Sequence, residues 1–373
     1  MMKIGVPKEI KNHEYRVGLS PANVRELATL GHEIILESNA GIGIGATDEI
    51  YKKMGARICS DPLELFGQSE MIIKVKEPQK EERALLREGQ ILFTYLHLAP
   101  DAEQTSDLVN SGAICIAYET VTSPQGGLPL LAPMAKEAGR MSIQAGAYCL
   151  EHSHGGLGIL LGGVPGVDPA KIVILGAGVV GTHATHIAVG MGADVWVIDK
   201  NPNVLESPWQ QFGRNTNTVF ATEEAIEEHV SNADIVIGGV LTPGAAAPKL
   251  VSEDLVRSMK SGAVIVDVAI DQGGCCETSK PTTHDEPTYI THDVVHYCLT
   301  NMPGGVPRTS TYALNNVTLP HVINLATNGY RKALSDDPYL RQGLNICLGE
   351  VTCAEVAIAH QCKHVPTERI LGV

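Results

Sequence analysis

The sequence is poor in several features that mark particular classes of protein. Aromatic residues make up 4% of its 373 residues, and its 28 basic side chains are outnumbered by 42 acidic ones, which gives a formal net charge of −14. Nucleic-acid binding needs a basic surface, so we expect no nucleic-acid partner. No stretch approaches the roughly 20 uninterrupted apolar residues of a membrane helix, and we expect no membrane partner. Residues 1–9 introduce charge too soon for a secretory signal peptide.

The sequence also lacks the paired spacings that build disulfide frameworks or zinc sites. Its nine cysteines are an odd, scattered set, and the adjacent pair Cys275-Cys276 belongs to no CxxC motif. Reduced thiols in the cytoplasm are therefore expected. His292 and His296 stand four residues apart, as on one face of a helix, but no cysteine or carboxylate completes a zinc-like set around them. We expect no bound metal.

Short apolar runs that alternate with helix-like stretches dominate the chain. The first series comprises Lys3–Val6, Glu33–Leu36, Met71–Val75, Ile91–Leu96 and Ala113–Ala117. The second series comprises Lys171–Leu175, Asp194–Ile198, Thr218–Ala221, Asp234–Gly238 and Ala263–Ala269. A chain of this length exceeds one hydrophobic core, and strands that alternate with helices imply parallel sheets covered on both faces. The sequence therefore predicts an α/β protein with two doubly wound, Rossmann-like domains and mostly parallel sheets.

A helix and a glycine-rich segment mark the expected domain boundaries. The helix, predicted from Ala132 to about Glu151, leads out of the first domain, and the segment Pro303–Pro307 closes the second series. The tail, from Ala313 to roughly Ala359, has helical spacing and no apolar series, so we expect a helical tail that packs on the first domain. The predicted first domain is residues 1–130 with 307–373, and the predicted second domain is residues 131–306.

A dinucleotide-binding fingerprint opens the second series. The apolar run Lys171–Leu175 leads directly into Gly176-Ala177-Gly178-Val179-Val180-Gly181. The first glycine permits a tight turn, the second lets a pyrophosphate approach the backbone, and the third lets the helix pack on the strand. The helix that follows directs its N-terminal amides at the phosphates. We therefore assign to cofactor binding Gly176, Gly178, Val179, Val180 and Gly181.

An acidic residue indicates which dinucleotide binds. The run Asp194–Ile198 ends in Asp199, eighteen residues after Gly181. A carboxylate there accepts hydrogen bonds from the adenosine ribose hydroxyls and repels a 2′-phosphate, which favours NAD over NADP. A glycine-rich turn without a ligand is the alternative, and the strand, turn, helix and acidic residue in that order argue against it. Residues 131–306 are therefore predicted to be the NAD-binding domain, and the first domain is predicted to bind substrate.

Four polar residues follow predicted strands or the first loop, at the edge where open parallel sheets bind ligands. They are Arg16, Lys76, His97 and Asp271. An arginine or lysine there can bind a substrate carboxylate, and a histidine or aspartate can act as a general acid or base. A solvated surface charge is the alternative for Arg16 and Lys76. A core histidine is the alternative for His97, and an N-cap or turn role is the alternative for Asp271.

Spaced motifs extend over nearly the whole chain. They are Ile4–Ile10 with Glu14–Val17, Lys74–Pro78, Leu92–Ala99, Ala138–Arg140, Val268–Gly274 and Asn301–Ser310. Together these motifs resemble those of the bacterial alanine dehydrogenases. The same broader group includes the NAD-binding part of the proton-pumping transhydrogenase, which shares the opening motif and the dinucleotide module.

The resemblance implies the reversible oxidative deamination of L-alanine to pyruvate and ammonium with NAD, by a cytoplasmic homohexamer. It implies that Arg16 and Lys76 bind the substrate carboxylate and polarise the carbonyl or imine. It also implies that His97 and Asp271 act as acid and base, and that Asn301 helps to form the substrate site. Further NAD contacts are implied at Val240, Leu241, Val268, Ala269, Ile270, Asp271, Leu299, Asn301 and Met302.

Two other functions compete with this one. A soluble transhydrogenase component would pass hydride to a partner and would have less need of Lys76, His97 and Asp271. A non-catalytic NAD sensor would tolerate the loss of His97 or Asp271. The presence of the full set favours the dehydrogenase. Because these residues come from both predicted domains, we expect the active site in the cleft between the two.

Overall fold

The structure is a computed structural model that describes residues 1–240 and 247–372. The chain divides into two units, one formed by Met1–Pro133 with Val306–Val373 and the other by Met134–Gly305. The chain therefore leaves the first unit once and returns to it, so the C-terminal tail belongs to the first unit.

Strands and helices alternate along most of the chain. The strands are β1 (Lys3–Val6), β2 (Glu33–Glu37), β3 (Ala56–Cys59), β4 (Met71–Ile73), β5 (Ile91–Thr94), β6 (Ile114–Ala117), β7 (Lys171–Leu175), β8 (Asp194–Asp199), β9 (Asn217–Phe220), β10 (Ile235–Gly238), β11 (Val264–Asp267), β12 (Thr288–Thr291), β13 (Val294–Tyr297), β14 (Leu344–Cys347) and β15 (Glu350–Val351). The helices are α1 (Pro21–Thr29), α2 (Asp48–Lys53), α3 (Pro62–Gln68), α4 (Lys80–Arg83), α5 (Ala102–Ser111), α6 (Ala132–Cys149), α7 (Val179–Gly190), α8 (Pro202–Phe212), α9 (Glu223–Ser231), α10 (Glu253–Ser258), α11 (Pro307–Asp336), α12 (Pro338–Arg341), α13 (Ala354–Ala359) and α14 (Thr367–Leu371). Short 3-10 helices cover Ile42–Ile44, Tyr118–Thr120, His152–His154, Gly213–Asn215, Val268–Gln272 and Met302–Gly305. Among the helices of the described ranges, none combines the length and the apolar character that crossing a membrane requires.

The first unit is built on an eight-stranded sheet in the order β15-β14-β6-β5-β4-β1-β2-β3. The strands from β1 to β6 pair in parallel, whereas β14 runs antiparallel to β6 and β15 runs antiparallel to β14. The strand order reverses at β1, which lies between β4 and β2. Open α/β sheets bind ligands beyond the carboxyl ends of the strands at such a reversal.

The second unit is built on a seven-stranded sheet in the order β12-β13-β11-β10-β7-β8-β9. All neighbours pair in parallel except the edge strand β12, which runs antiparallel to β13. The order reverses at β7, the strand that leads into the glycine fingerprint. Both units are thus doubly wound, Rossmann-like domains with mostly parallel sheets, and the predicted fold class is confirmed.

Alternate residues of the central strands fill the space on either side of the second sheet. Ile172 and Ile174 of β7 belong to one buried apolar cluster, and Val173 and Leu175 belong to another. Successive side chains of a strand point to opposite faces, so a strand that is apolar throughout is buried on both faces. This pattern explains why β7 reads as an uninterrupted apolar run.

The prediction of a tail without strands is wrong. Leu344–Cys347 forms the fully buried strand β14, which pairs with Ile114–Ala117 of the first sheet. A four-residue apolar run between helices carries a weak signal, and its partner lies more than 200 residues earlier in the sequence. The predicted strand Ala263–Ala269 is also too long, because the chain turns into a 3-10 helix after Asp267.

A fully buried ion cluster joins two loops at the carboxyl edge of the first sheet. The Lys74 ammonium, 0% exposed, donates to the Glu9 Oε2 at 3.0 Å and to the Glu82 Oε1 at 2.7 Å. The second oxygen of Glu9 accepts from the Val75 N–H at 2.7 Å. Burial raises the pKa of Glu9 to about 7, with Lys74 acting against the rise and Glu82 adding to it. We call Glu9, Lys74 and Glu82 the buried triad.

Replacing Lys74 with methionine is expected to destabilise the protein by about 3–5 kcal/mol, because two buried carboxylates lose their shared cation. The measurement is the midpoint of urea denaturation. Lys52→Met is the matched control, since Lys52 and its partner Glu49 are both more than half exposed and an exposed pair contributes about 0–1 kcal/mol. Equal denaturation midpoints for the two variants would show that the buried triad contributes no more to stability than the exposed pair.

Candidate active site

Three of the four predicted site residues lie at the carboxyl edge of the first sheet. Arg16 lies in the loop after β1, Lys76 follows β4, and His97 follows β5. The three strands are neighbours in the order β5-β4-β1, so residues separated by up to 81 positions in the sequence come to one edge. The reversal of strand order at β1 makes this edge the expected ligand-binding position of the unit.

Arg16 is a buried cation with a dedicated carboxylate. Its side chain is 1% exposed, and it makes a two-pronged contact with Glu14, from Nε to Oε1 at 2.6 Å and from Nη2 to Oε2 at 2.5 Å. Burial acts to lower the pKa of Arg16, but the hydrogen bonds and charge of Glu14 outweigh it and raise the pKa above its usual value. The alternative of a solvated surface charge is therefore wrong for Arg16. A planar, permanently charged guanidinium held in this way has a fixed orientation.

Lys76 is half-buried and lies two residues after Lys74 of the buried triad. Its carbonyl oxygen accepts from the Thr94 hydroxyl at 2.9 Å, which ties this loop to the end of β5. The next residue, Glu77, pairs with Lys11. Burial acts to raise the pKa of Glu77, but the charges of Lys76 and Lys11 outweigh it and lower the pKa. The backbone of Lys76 is thus fixed on both sides while its side chain stays partly accessible.

His97 stands on a strained turn that directs its imidazole outward. Its backbone is left-handed, with φ 50°, a conformation that non-glycine residues adopt rarely. Glu119 accepts from the backbone N–H of His97 at 2.6 Å and of Leu96 at 3.1 Å. The imidazole is 46% exposed and stacks on the Tyr95 ring, with centroids 5.9 Å apart. The alternative of a core histidine is therefore wrong.

His97 lines a cleft of about 300 Å³ in the first unit. The wall around it is held by hydrogen bonds, since Gln104 donates to the Leu96 carbonyl at 2.6 Å and Asp101 caps helix α5. A cleft of this size admits a small molecule. Among the described residues, the lining of this cleft does not include Arg16 or Lys76.

Glu119 was not predicted, although the sequence holds a signal for it. It follows the run Ala113–Ala117, which was itself predicted as a strand, and the rule that selected Lys76 and His97 applies equally to the end of that strand. Its carboxylate oxygen Oε1 lies 3.9 Å from the Nδ1 of His97. The buried Lys74, by contrast, has partners 65 and 8 residues away and no local pattern that marks it.

The glycine fingerprint forms the loop between β7 and α7 of the second unit. Gly176 has φ 98°, and a Cβ there would lie 3.0 Å from the backbone of Gly239. A Cβ on Gly181 would lie 1.8 Å from the Gly176 carbonyl oxygen, whereas a Cβ on Gly178 would meet nothing within 4 Å. Gly178 and Val179 are exposed at the start of the helix. The loop therefore has the tight turn, the close helix packing and the open backbone that a pyrophosphate requires.

Asp199 lies at the carboxyl end of β8, beside this loop. Its Oδ2 accepts from the Ala177 N–H at 2.8 Å, and its Oδ1 accepts from the Asn201 N–H at 2.8 Å. The carboxylate is thereby fixed next to the glycine turn. Each carboxylate oxygen has more than one acceptor position, so these contacts leave capacity for ribose hydroxyls. The residues of β7, β8 and the turn fit the adenosine and pyrophosphate of a dinucleotide.

Asp271 is an exposed residue of the 3-10 helix Val268–Gln272 that follows β11. The N-cap of this helix is Asp267, whose side chain accepts from the Ala269 N–H, so the alternative of an N-cap role for Asp271 is wrong. Like the fingerprint, Asp271 lies at the carboxyl edge of the second sheet. The strands β11, β10 and β7 are neighbours there.

The remaining predicted cofactor residues follow β10, β11 and β13 at the same edge. Val240 is half-buried, and Leu241 lies outside the described residues. Asn301 has a left-handed backbone, φ 56°. Three others are buried members of the apolar clusters of the second unit, namely Ala269, Leu299 and Met302, and Val268 is partly buried against one of these clusters.

Two groupings of potential metal ligands occur among the described residues. The spacing of His292 and His296 predicts one face of a helix, but both residues lie in the β12-β13 hairpin. His296 is hydrogen-bonded through Nε2 to the Thr278 hydroxyl and through Nδ1 to the Val294 carbonyl. Asp267, Cys275 and Cys276 lie close enough together to hold an ion. The Asp267 carboxylate, however, already accepts four hydrogen bonds.

Comparison with known proteins gives the chain relatives over its full length. Residues 5–138 match the family model described as alanine dehydrogenase/PNT, N-terminal domain, and residues 142–354 match the corresponding C-terminal domain. A curated alanine dehydrogenase from Halomonas elongata is 55% identical over 371 residues, 100% of each chain. One from Methanococcus maripaludis is 52% identical over 372 residues, again 100% of each chain.

Solved structures extend the comparison to the fold. One named L-alanine dehydrogenase superposes with a TM-score of 0.94 at 50% identity and covers 96% of this chain and 99% of its own. A transhydrogenase from Sinorhizobium meliloti superposes with a TM-score of 0.83 at 24% identity, over 94% of this chain and 100% of its own. The second likeness concerns the fold alone.

The two glycines of the fingerprint are expected to respond differently to alanine. Gly181→Ala should lower the melting temperature and abolish NADH binding, because its Cβ would overlap the Gly176 carbonyl oxygen. Gly178→Ala should keep the melting temperature and weaken NADH binding by at least about 10-fold, since its Cβ enters the space of the pyrophosphate. Thermal melts and NADH fluorescence titrations measure the two effects.

Gly190→Ala is the matched control, at the other end of α7 and with nothing within 4 Å of its Cβ. It should leave both measurements near those of the unmodified protein. If Gly178→Ala binds NADH as tightly as this control, the loop does not hold the pyrophosphate.

Proposed function

The chain belongs to the alanine dehydrogenase/PNT family, and on that premise we propose that it catalyses the reversible oxidative deamination of L-alanine to pyruvate and ammonium with NAD. The observation that carries this function is the full-length relationship to alanine dehydrogenases at 55% identity. The carboxyl edges of both sheets support it, since one presents two cations and a histidine and the other presents a dinucleotide loop. The protein is an oxidoreductase.

Arg16 and Lys76 are assigned to the substrate carboxylate and to the carbonyl or imine that forms during the reaction. Both are cations at the ends of neighbouring strands, and Arg16 is held in place by Glu14. A carboxylate bound by two positioned cations has a fixed orientation, which lowers the entropic cost of reaching the transition state. A positive charge beside the carbonyl oxygen also stabilises the negative charge that develops on that oxygen when ammonia adds to pyruvate. Asn301, in the second unit, is also assigned to substrate binding.

His97 and Asp271 are assigned the proton transfers. Oxidation of the amine requires loss of a proton from nitrogen, and the water that becomes the carbonyl oxygen must also be deprotonated. NAD, when bound, accepts the hydride from the α-carbon. His97 presents an exposed imidazole in a cleft of the first unit, and Asp271 is an exposed residue at the carboxyl edge of the second sheet, the edge that also carries the glycine fingerprint. General acid–base groups of this kind contribute about 10²–10⁴-fold to the rate.

NAD is assigned as the cofactor in preference to NADP. The support is Asp199, whose carboxylate is fixed at the end of β8 by two backbone N–H groups. We assign the adenosine ribose to this carboxylate, the pyrophosphate to Gly176–Gly181, and the remaining contacts to the loops after β10, β11 and β13.

We also propose a cytoplasmic homohexamer that acts on small molecules. The hexamer rests on the family resemblance. The cytoplasmic assignment is supported by the nine cysteines, which are all free thiols and mostly buried, as in proteins of reducing compartments. A transhydrogenase component remains the rival function, and a non-catalytic NAD sensor is the rival from another class.

One assay separates these functions. NADH formation is followed with L-alanine and NAD, and in parallel with serine, glycine and lysine. We expect turnover with L-alanine. His97→Ala and Asp271→Ala should each lower kcat by about 10²–10⁴-fold and keep measurable NADH binding.

The matched controls are His152→Ala and Asp254→Asn, which replace exposed residues outside the proposed site. They should leave kcat within about twofold of the unmodified enzyme, since substitutions at such positions are usually mild. A protein that binds NADH but does not turn over L-alanine would support the sensor or the transhydrogenase component. Near-normal kcat in either alanine variant would remove that residue from the proton transfers.

Asp199→Asn is expected to erode the preference for NAD. The substitution preserves shape and removes the charge that repels a 2′-phosphate, so the ratio of kcat/KM for NAD over NADP should fall by about 10-fold, which corresponds to about 1.4 kcal/mol. Asp194→Asn, at the amino end of the same strand, is the control and should leave the ratio unchanged. An unaltered ratio in Asp199→Asn would contradict the ribose assignment.

A further inference from the structure

We propose that Asp267 is the positioning residue that sets the location of Asp271, an inference that rests on the proposed acid–base role of Asp271. Asp267 ends β11 and is 1% exposed. After Asp267, residues 268–276 first form the 3-10 helix that carries Asp271 and then return to the Asp267 side chain. We call residues 268–276 the acid loop.

The Asp267 carboxylate binds both ends of the acid loop. At the start, its Oδ1 accepts from the Ala269 N–H at 3.2 Å. At the end, its Oδ2 accepts from the Cys275 N–H at 2.8 Å and from the Cys276 N–H at 3.2 Å. The Ser279 hydroxyl donates to the same Oδ2 at 2.6 Å. The Asp267 side chain therefore ties both ends of the acid loop, with Asp271 between them, and Lys249 adds contacts from its Nζ to the Gly273 and Cys276 carbonyls at 2.6 and 3.0 Å.

The backbone of the acid loop is shaped around this carboxylate. Gly273 and Gly274 have φ 90° and 77°, which gives the sharp reversal that brings the chain back to Asp267. A Cβ on Gly274 would lie 2.7 Å from the Asp267 Oδ2, and a Cβ on Gly238 would lie 2.8 Å from the Oδ1. Side chains at either position would displace the carboxylate.

The negative charge of Asp267 matters to this closure. Three donors converge on one oxygen, and hydrogen bonds to an ionised acceptor in a buried setting are about twice as strong as neutral ones. An asparagine offers one acceptor oxygen and would direct an N–H₂ group at donors on the other side. It preserves shape but cannot hold both ends of the acid loop.

The cluster of Asp267, Cys275 and Cys276 is better explained as an anchor than as a metal site. The carboxylate oxygens are occupied by the four donors described above. The hydrogen bond with Cys276 and burial raise the pKa of Cys275 well above its usual value. Both cysteines instead belong to the apolar cluster under the sheet.

Positioning by Asp267 affects the reaction rate, while Asp271 remains the acid–base group. A displacement of about 1 Å in a catalytic group can cost about 10²-fold in rate, and Asp271 lies on a short 3-10 helix, whose backbone hydrogen bonds have poorer geometry than those of an α-helix. Asp267→Asn should therefore lower kcat at saturating L-alanine and NAD by about 10- to 100-fold. The KM for L-alanine should change far less than kcat.

The test compares Asp267→Asn with Asp234→Asn. Asp234 is also a buried carboxylate of the second unit, and it accepts from the Lys171 N–H and from Lys260. It precedes β10 and so lies at the amino edge of the sheet, away from Asp271. Asp234→Asn should keep kcat within about twofold even if it lowers the melting temperature. An equal fall in kcat in the two variants would show a general loss of structure and would overturn the proposal.

The dependence of kcat on pH supplies a readout that a merely structural role would not change. Asp271→Asn first identifies the limb of the profile that belongs to Asp271. Asp267→Asn should move the apparent pKa of that limb, and Asp234→Asn should not. Unchanged kcat and an unchanged limb in Asp267→Asn would overturn the proposal.

Ser279→Ala keeps the inference testable if Asp267→Asn does not fold. It removes one of the four donors and leaves the carboxylate and its three backbone contacts, so kcat should fall by about two- to fivefold with the same limb displaced. Unmodified behaviour of Ser279→Ala would then overturn the proposal. Full activity in Asp271→Asn would instead refute the acid–base role of Asp271, whereas an inactive Asp271→Asn with a normal Asp267→Asn would refute the positioning role alone.

Discussion

A lysine that is wholly removed from solvent constrains the carboxyl edge of the first unit. Isolated buried charges are strongly unfavourable, so Lys74 is tolerated because Glu9 and Glu82 lie within 3.0 Å of its ammonium. Glu9 belongs to the segment after β1, and its second oxygen also accepts from the Val75 N–H. The loops after β1 and β4 are therefore held together by charged groups that pair with one another because water does not reach them. Lys76 lies two residues after Lys74, so its position depends on the ion pairs that hold Lys74 in place.

Carboxylates that accept backbone N–H groups recur at the ends of the strands that carry the site. Glu119 fixes the turn at His97, Asp199 fixes the glycine turn, and Asp267 closes the loop that carries Asp271. Loops at the edge of an open sheet have few apolar contacts and would otherwise be its most mobile parts. Anchoring the backbone through charged acceptors leaves the neighbouring side chains accessible for chemistry. The anchors Glu119 and Asp267 are thus different residues from the proposed reactive groups His97 and Asp271, which lie 22 and four positions away.

Sequence reasoning predicted the features that depend on local patterns and failed where distant partners decide. The apolar runs of β1, β7 and β10 and the fingerprint after β7 were read correctly, because burial on both faces leaves a continuous signal. The rule that ligands bind at carboxyl edges selected Arg16, Lys76 and His97, which the structure places at one edge, while their roles stay predictions. It could not reveal Lys74, whose environment is set by an acid 65 residues away, or β14, whose pairing with β6 is decided by tertiary structure. The end of β11 was misplaced because Val268, Ala269 and Ile270 continue the apolar run into a 3-10 helix.

The turn at His97 shows how strain and anchoring combine to expose a reactive side chain. Its neighbours Leu96 and Leu98 are 0% and 2% exposed, whereas the imidazole of His97 is 46% exposed. A left-handed residue other than glycine costs about 1–3 kcal/mol. A hydrogen bond to a charged acceptor contributes about 1.5–3 kcal/mol, so the contact from the His97 N–H to Glu119 at 2.6 Å offsets a cost of that size. Glu119 therefore acts on His97 through the backbone, where its carboxylate stabilises the left-handed turn that carries the exposed imidazole.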